Sequence, residues 1–134
     1  MNILEILNKN TIKDCGDLLV AVCHNASVHA GWWHDLTTGA LKPVTQELVG
    51  DKLMLCVTEL AEAKEGHRKD AMDSHLPNRS AIEVELADCV IRICDLAGRL
   101  ELDLGGAIAE KLDYNSKRSD HTIAARMAPG GKKT

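Results

Sequence analysis

Aromatic side chains are scarce in this sequence. Of 134 residues only two are Trp and one is Tyr, and Phe is absent. A β-sandwich core with so few aromatic residues would be unusual, because aromatic and β-branched residues are enriched in strands. Hydrophobic residues still make up 45% of the chain, and Leu and Ala, which favour helices, are prominent among them. Strand-like alternation is not found either, so we expect an all-α fold.

Long hydrophobic runs and paired cysteines are also missing. No apolar stretch approaches the roughly 20 residues that span a bilayer. The segment 1–7 lacks the basic region and cleavage site of an export signal. We therefore expect a cytoplasmic protein with no membrane partner. The five cysteines contain no CxxC pair, and we predict reduced thiols, mostly buried, at all five positions: Cys15, Cys23, Cys56, Cys89 and Cys94.

The charge is nearly balanced and slightly acidic. Sixteen basic and 20 acidic residues give a net charge of −4. A general nucleic-acid binder would normally be basic, so we expect no nucleic-acid partner. The length suits one domain. We predict a helical domain over residues 1–118, followed by a flexible C-terminal tail over residues 119–134 that ends in a Gly- and Lys-rich segment.

Hydrophobic periodicity predicts a first long helix over about 11–30. Thr11 and Asp14 have the spacing of a capping box at its start. Gly31 is a plausible end of the helix, because glycine readily adopts the left-handed conformation of a C-cap. The following segment, 32–43, reads as a loop because it contains a Thr-Thr-Gly sequence and ends in Lys-Pro.

A second helix is predicted after this loop, beginning near Thr45 or only after Gly50. We expect it to end around Gly66, which would serve as its C-cap. A polar loop of moderate length then leads to the third helix. Helices joined in this way pack antiparallel, which is typical of an all-α bundle.

Two further helices have clear starting signals. Ser80 and Glu83 form a Ser-x-x-Glu capping box before a strongly periodic helix over about 80–100. Asp103 is a good N-cap for a fourth helix over about 104–118. The four predicted helices together indicate a four-helix-bundle-like architecture.

Acidic side chains occur in pairs on predicted helices two and three. Glu59 and Glu62 are three residues apart and share a helix face, and Glu85 and Asp88 repeat that spacing. Antiparallel packing would bring the two pairs face to face, where carboxylates repel one another unless cations neutralise them. Oxygen-only ligands favour Mg²⁺ or Mn²⁺. Arg92, four residues after Asp88, is expected to form a salt bridge with it. The alternative is that each acidic pair is a solvated helix edge.

These acids resemble the ExxE…ExxD signature of the MazG-like nucleotide pyrophosphohydrolases. The matching segments are Glu59-Leu60-Ala61-Glu62 and Glu85-Leu86-Ala87-Asp88. Further along, the Lys-Leu-Asp-Tyr-Asn-Ser-Lys-Arg sequence at 111–118 is similar to that family's lysine-plus-Tyr-Asn-x-x-Arg ending. The resemblance covers roughly residues 30–118. The Trp-Trp segment and the insert over 67–79 look like a phage-type branch of this all-α superfamily, which also includes dimeric dUTPases.

The resemblance implies an enzyme that cleaves a nucleoside or deoxynucleoside triphosphate to the monophosphate and pyrophosphate. It implies a Mg²⁺ cofactor, replaceable by Mn²⁺, and Glu59 or Glu62 as the general base. The implied metal ligands are Glu59, Glu62, Glu85 and Asp88. The implied phosphate or sugar contacts are Lys111, Asn115 and Arg118, which would form one stripe on the fourth helix. A homo-oligomer, either a dimer or a dimer of dimers, in a bacterial or phage-infected cell is also implied.

Polar and aromatic side chains near the predicted loop over 32–43 are candidates for binding the base. One of Trp32 and Trp33 is expected to stack on the base and the other to anchor packing. The alternative is that both are packing residues. Asn25 and His29 are four residues apart on the first helix and are candidates for contacts with the base edge. Two other functions stay open: a hydrolase specific for dUTP or dCTP, and a non-catalytic helical interaction module.

Overall fold

Helices account for most of the chain between residues 8 and 134, the part that the computed structural model describes. They are α1 (Lys9–His29), α2 (Gln46–Arg68), α3 (Ala81–Arg99), α4 (Leu104–Ser116), a 3₁₀ helix (Ser119–His121) and α5 (Ile123–Met127). This described range contains two isolated β-bridges but no strand. The predicted all-α fold is therefore confirmed, whereas the expectation about an export signal concerns residues 1–7, which lie outside the described range.

None of the helices in residues 8–134 combines the length and the apolar character that crossing a bilayer requires. Four of the five cysteines are buried and all five are free thiols. Cys15, on the first turns of α1, is the exposed exception. The expectation of reduced and mostly buried cysteines is thus confirmed, with that one exception.

The start of α1 differs from the prediction. The side-chain Oδ1 of Asn8 accepts a hydrogen bond of 2.9 Å from the backbone N–H of Thr11, so Asn8 performs the capping role. The capping box predicted at Thr11 is therefore wrong, and α1 begins two residues earlier. At the other end, Gly31 has a φ of +82°, which confirms its predicted role in ending the helix.

Helix α2 begins at the earlier of its two predicted positions, because the Thr45 side chain accepts a hydrogen bond from the backbone N–H of Leu48. The prediction that Gly66 caps its C-terminus is wrong, since α2 continues to Arg68. Gly66 is instead a packing residue: a Cβ placed on it would lie 2.7 Å from the Cβ of Ala81. Its missing side chain allows the end of α2 to approach the start of α3 closely.

The capping signals of α3 and α4 are confirmed. The Glu83 carboxylate accepts hydrogen bonds from the backbone N–H and the hydroxyl of Ser80. The Asp103 carboxylate accepts one from the backbone N–H of Gly106. Helix α4 ends at Ser116, two residues before its predicted end, and short helical segments follow it.

The chain forms two compact units. The larger unit comprises Leu18–Leu102, in which α2 and α3 pack against each other along their lengths. They run antiparallel, because the end of α2 at Gly66 meets the start of α3 at Ala81. Its core is formed by small and sulfur-containing side chains around one fully buried aromatic residue, Trp33.

Among the described residues, the smaller unit comprises 8–17 together with Asp103–Thr134. Within it, the Lys13 ammonium lies 2.7 Å from Asp17 and 2.8 Å from Asp103. Gly16 and Gly105 bring two backbones into contact, since a Cβ on Gly16 would lie 2.5 Å from the Cα of Gly105. The predicted domain boundary at residue 118 and the flexibility of residues 119–134 stay predictions.

Candidate functional site

Three carboxylates from two antiparallel helices converge in the larger unit. Glu59 on α2 and Glu85 and Asp88 on α3 each offer an oxygen, and these oxygens lie within 4.8 Å of one another. Glu59 is buried, and the other two are partly buried. The structure thus brings together three of the four predicted metal ligands. Glu62 is exposed and lies outside this cluster.

Arg92 neutralises one member of the cluster. Its Nε donates a hydrogen bond of 2.5 Å to Oε1 of Glu59, across the interface between α2 and α3. The salt bridge predicted between Arg92 and Asp88 on the same helix is therefore wrong. The buried Glu59 carboxylate has the greater need of a counter-charge, because it has lost most of its contact with water.

The remaining carboxylates are electrostatically crowded. Burial raises the pKa of Glu85, and a hydrogen bond to Glu59 raises it further. The negative charges of Glu62, Glu59 and Asp88 act in the same direction. A bound cation would relieve this repulsion. Because the donors are all carboxylate oxygens, the cluster suits a hard divalent ion such as Mg²⁺ or Mn²⁺.

A cavity of about 490 Å³ adjoins the carboxylate cluster. Its volume lies within the range of small-molecule sites. Asp88 belongs to both the cluster and the cavity wall, so a ligand in the cavity would lie beside the candidate metal centre. The polar and aromatic side chains of the wall come from α1, the following loop, α2 and α3: Ser27, Trp32, Lys52, Asp88, Arg92 and Asp95.

Asp95 fixes the loop after α1 against α3. It is buried, and its carboxylate accepts hydrogen bonds from the Trp33 indole N–H at 2.7 Å and the Ser27 hydroxyl at 2.8 Å. The Nδ1 atom of His24 lies 2.9 Å away from it as well. These partners satisfy a charge that would otherwise be costly to bury.

The two tryptophans occupy different environments. Trp33 is only 1% exposed and packs in the core, whereas Trp32 is 67% exposed and lines the cavity. Asn25 and His29 are exposed on α1 and are not among the cavity-lining residues. Of the four predicted base-binding residues, the structure therefore brings only Trp32 to the cavity.

Lys52 is a cavity residue that the sequence motifs did not predict. Its ammonium lies 4.3 Å from the centroid of the Trp33 ring. Burial lowers the pKa of Lys52, and the positive charges of Lys42 and Arg92 lower it further, while Asp95 opposes them. One signal was present in the sequence, because Lys52 lies two helical turns before Glu59 and so shares its face.

The predicted phosphate- and sugar-binding residues lie in the smaller unit. Lys111 is exposed on α4, with its ammonium 4.8 Å from the Tyr114 ring centroid. Asn115 is partly buried. Arg118 lies beyond the end of α4 and forms a salt bridge of 2.7 Å with Asp120, so the predicted single stripe on one helix is wrong. The binding roles of these three residues stay predictions.

No protein-family model, curated protein or solved structure matches this chain. The likeness to MazG-like enzymes accordingly rests on the sequence motifs alone. The chain itself offers an all-α scaffold in which a carboxylate cluster borders a ligand-sized cavity.

Proposed function

We propose that this protein is a Mg²⁺-dependent nucleoside triphosphate pyrophosphohydrolase that releases a monophosphate and pyrophosphate. The observation that carries this proposal is the convergence of Glu59, Glu85 and Asp88 beside a cavity of about 490 Å³. The motif resemblance supports the same reaction. The proposed cellular location is the cytoplasm, where nucleotides are available.

The proposed chemistry uses the carboxylates in two ways. Glu59, Glu85 and Asp88 would hold Mg²⁺, which neutralises polyphosphate charge and acidifies bound water. Glu62 is the better of the two candidate bases, because Oε1 of Glu59 is engaged by Arg92. Among the described residues, no side chain donates a hydrogen bond to Glu62. Glu62 would accept the proton of the attacking water as the phosphoanhydride bond between the α and β phosphates breaks.

The proposed nucleoside contact is the exposed indole of Trp32. Stacking of a base on an aromatic ring contributes about 1–3 kcal/mol and tolerates every base. Trp32 lines the cavity and is the more exposed of the two tryptophans. The family likeness assigns further phosphate or sugar contacts to Lys111, Asn115 and Arg118, and the proposal retains them.

Assembly of several copies is part of the proposal. In the larger unit, large apolar side chains on α1 and α2 remain exposed in the single chain, including Leu18 at 65%, Val22 at 58% and Met54 at 62%. Leu18 and Val22 are four residues apart on α1 and so share one helix face, and an exposed apolar face favours association. We expect a dimer or a dimer of dimers formed through these helices. Light scattering at micromolar concentration that showed a monomer would contradict this expectation.

The reaction is tested with a panel of nucleoside and deoxynucleoside triphosphates in Mg²⁺ or in EDTA. Separation of the products should show monophosphate and pyrophosphate in Mg²⁺ and no turnover in EDTA. Asp88→Asn should abolish turnover, whereas Asp51→Asn, at an exposed position of α2, should leave it unchanged.

Other results would support different functions. Release of a diphosphate and inorganic phosphate would contradict the proposed bond cleavage. Turnover confined to dUTP or dCTP would identify a base-specific hydrolase. No release of any product in either condition would favour a helical interaction module.

A further inference from the structure

Two cationic side chains, Lys52 and Arg92, line the cavity beside the carboxylate cluster. Lys52 comes from α2 and Arg92 from α3. In the part of the chain that the structure describes, no carboxylate lies within salt-bridge distance of the Lys52 ammonium. Arg92 contacts Glu59 through Nε, and within that same part its two terminal nitrogens donate no hydrogen bond.

The Lys52 ammonium on this wall has only partial charge compensation. Burial and the nearby positive charges of Lys42 and Arg92 make the charged form of Lys52 less favourable, which lowers its pKa. Asp95 attracts Lys52, but its carboxylate is already engaged by Trp33, Ser27 and His24. An anionic ligand would therefore add a counter-charge to an ammonium that burial has partly removed from water.

The chemistry of the two side chains indicates which anion fits. A guanidinium presents a planar set of donors that matches phosphate, and an ammonium adds three donors on a flexible stem. The cavity volume of about 490 Å³ leaves room for a phosphate chain. The nearby Asp88 would repel such a chain, but a divalent cation at the carboxylate cluster would turn that repulsion into attraction.

We propose that Lys52 and the terminal nitrogens of Arg92 bind phosphate oxygens in this cavity. The assignment of those oxygens to the triphosphate of a nucleotide rests on the proposed function. The anion site itself rests on the placement of the two cations. Lys52 and Arg92 would thus hold the phosphate chain beside Glu59, Glu85 and Asp88, while Trp32 contacts the base.

The test is a titration of the full chain with inorganic pyrophosphate in Mg²⁺. Isothermal titration calorimetry and tryptophan fluorescence both measure the binding. Lys52→Met removes the charge and keeps most of the stem, and Lys52→Arg restores a cation. Lys64→Met is the matched control, because Lys64 is exposed on the same helix and does not line the cavity. Loss of one charge-assisted contact should weaken binding roughly tenfold or more in Lys52→Met. Lys52→Arg should recover most of the affinity, and Lys64→Met should match the unmodified protein.

The outcomes separate this inference from the proposed function. Equal pyrophosphate affinity in Lys52→Met and Lys64→Met would overturn the inference, as would no binding to the unmodified protein. If triphosphates are nevertheless hydrolysed, the proposed function survives. If Lys52→Met loses pyrophosphate binding but no triphosphate is hydrolysed by the unmodified protein, the anion site stands and the proposed function fails. Circular dichroism of each variant checks that the helices are retained.

Discussion

Arg92 donates a hydrogen bond through Nε to Oε1 of Glu59, a residue 33 positions earlier and on the neighbouring helix. The Glu59 side chain is only 8% exposed, so this guanidinium is its main source of charge compensation within the described chain. The pair joins α2 to α3 at the point where the carboxylate cluster meets the cavity. It therefore combines a structural role with the positioning of a proposed metal ligand.

Replacing Arg92 with Met should destabilise the fold by about 1–3 kcal/mol, because a buried carboxylate loses its hydrogen-bond donor. Urea unfolding measures this loss. The double variant Arg92→Met with Glu59→Gln should lose less free energy of unfolding than the two single variants lose together, since no uncompensated charge remains. Arg79→Met serves as the control, because that side chain is 65% exposed. Equal stabilities of Arg92→Met and Arg79→Met would contradict the role assigned to the pair.

The raised pKa of Glu85 predicts a pH-dependent stability. The folded protein holds the Glu85 proton more tightly than the unfolded chain does. Its contribution is therefore most favourable below the ordinary pKa of 4.5 and is lost as the pH rises through the higher folded pKa. In EDTA, Glu85→Gln should gain stability relative to the unmodified protein between about pH 4 and about pH 7.

Thermal melts across that pH range measure the difference. For Glu110→Gln, at an exposed position of α4, the melting temperature should change with pH in the same way as that of the unmodified protein. The structure indicates that the carboxylates repel one another. An unchanged pH dependence of the melting temperature in Glu85→Gln would contradict this repulsion.

Two glycines on α2 should respond oppositely to alanine. A Cβ on Gly66 would lie 2.7 Å from the Cβ of Ala81, so Gly66→Ala should destabilise the protein by about 1–3 kcal/mol. A Cβ on Gly50 meets no atom within 4 Å, and Gly50→Ala should stabilise the helix by about 0.5–1 kcal/mol. Chemical unfolding of both variants checks the signs. A stabilised Gly66→Ala would show that α2 and α3 do not approach as described.

Asp95 should be essential for the packing of the loop after α1. Asp95→Asn weakens the acceptor for Trp33 and Ser27 and should destabilise the protein by about 1–3 kcal/mol. Trp33 should become more exposed, which shifts its fluorescence emission to longer wavelength. Asp51→Asn, at an exposed site on α2, should change stability by less than about 0.5 kcal/mol. Unchanged emission and stability in Asp95→Asn would contradict this role.

The helices were largely predictable because their signals are local. The Ser80–Glu83 box and the Asp103 cap each depend on residues within one turn, and both are present in the structure. The role of Gly66 was predicted wrongly, because a glycine near a helix end either caps the helix or allows another helix to pack closely against it. The choice between these roles is made by Ala81, which belongs to another helix.

The candidate site was predictable only where spacing along one helix determined it. The three-residue spacing of Glu85 and Asp88, with antiparallel packing, was enough to place them opposite Glu59. The partner of Arg92 and the cavity position of Lys52 were missed. Both depend on the relative register of α2 and α3, which periodicity within a single helix does not determine.

The most direct test of the central claim is a crystal of the protein soaked in Mn²⁺, examined by anomalous scattering at the manganese edge. The account predicts an anomalous peak at about 2 Å from carboxylate oxygens of Glu59, Glu85 and Asp88. A map with these three side chains turned apart into solvent and no peak between them would contradict it.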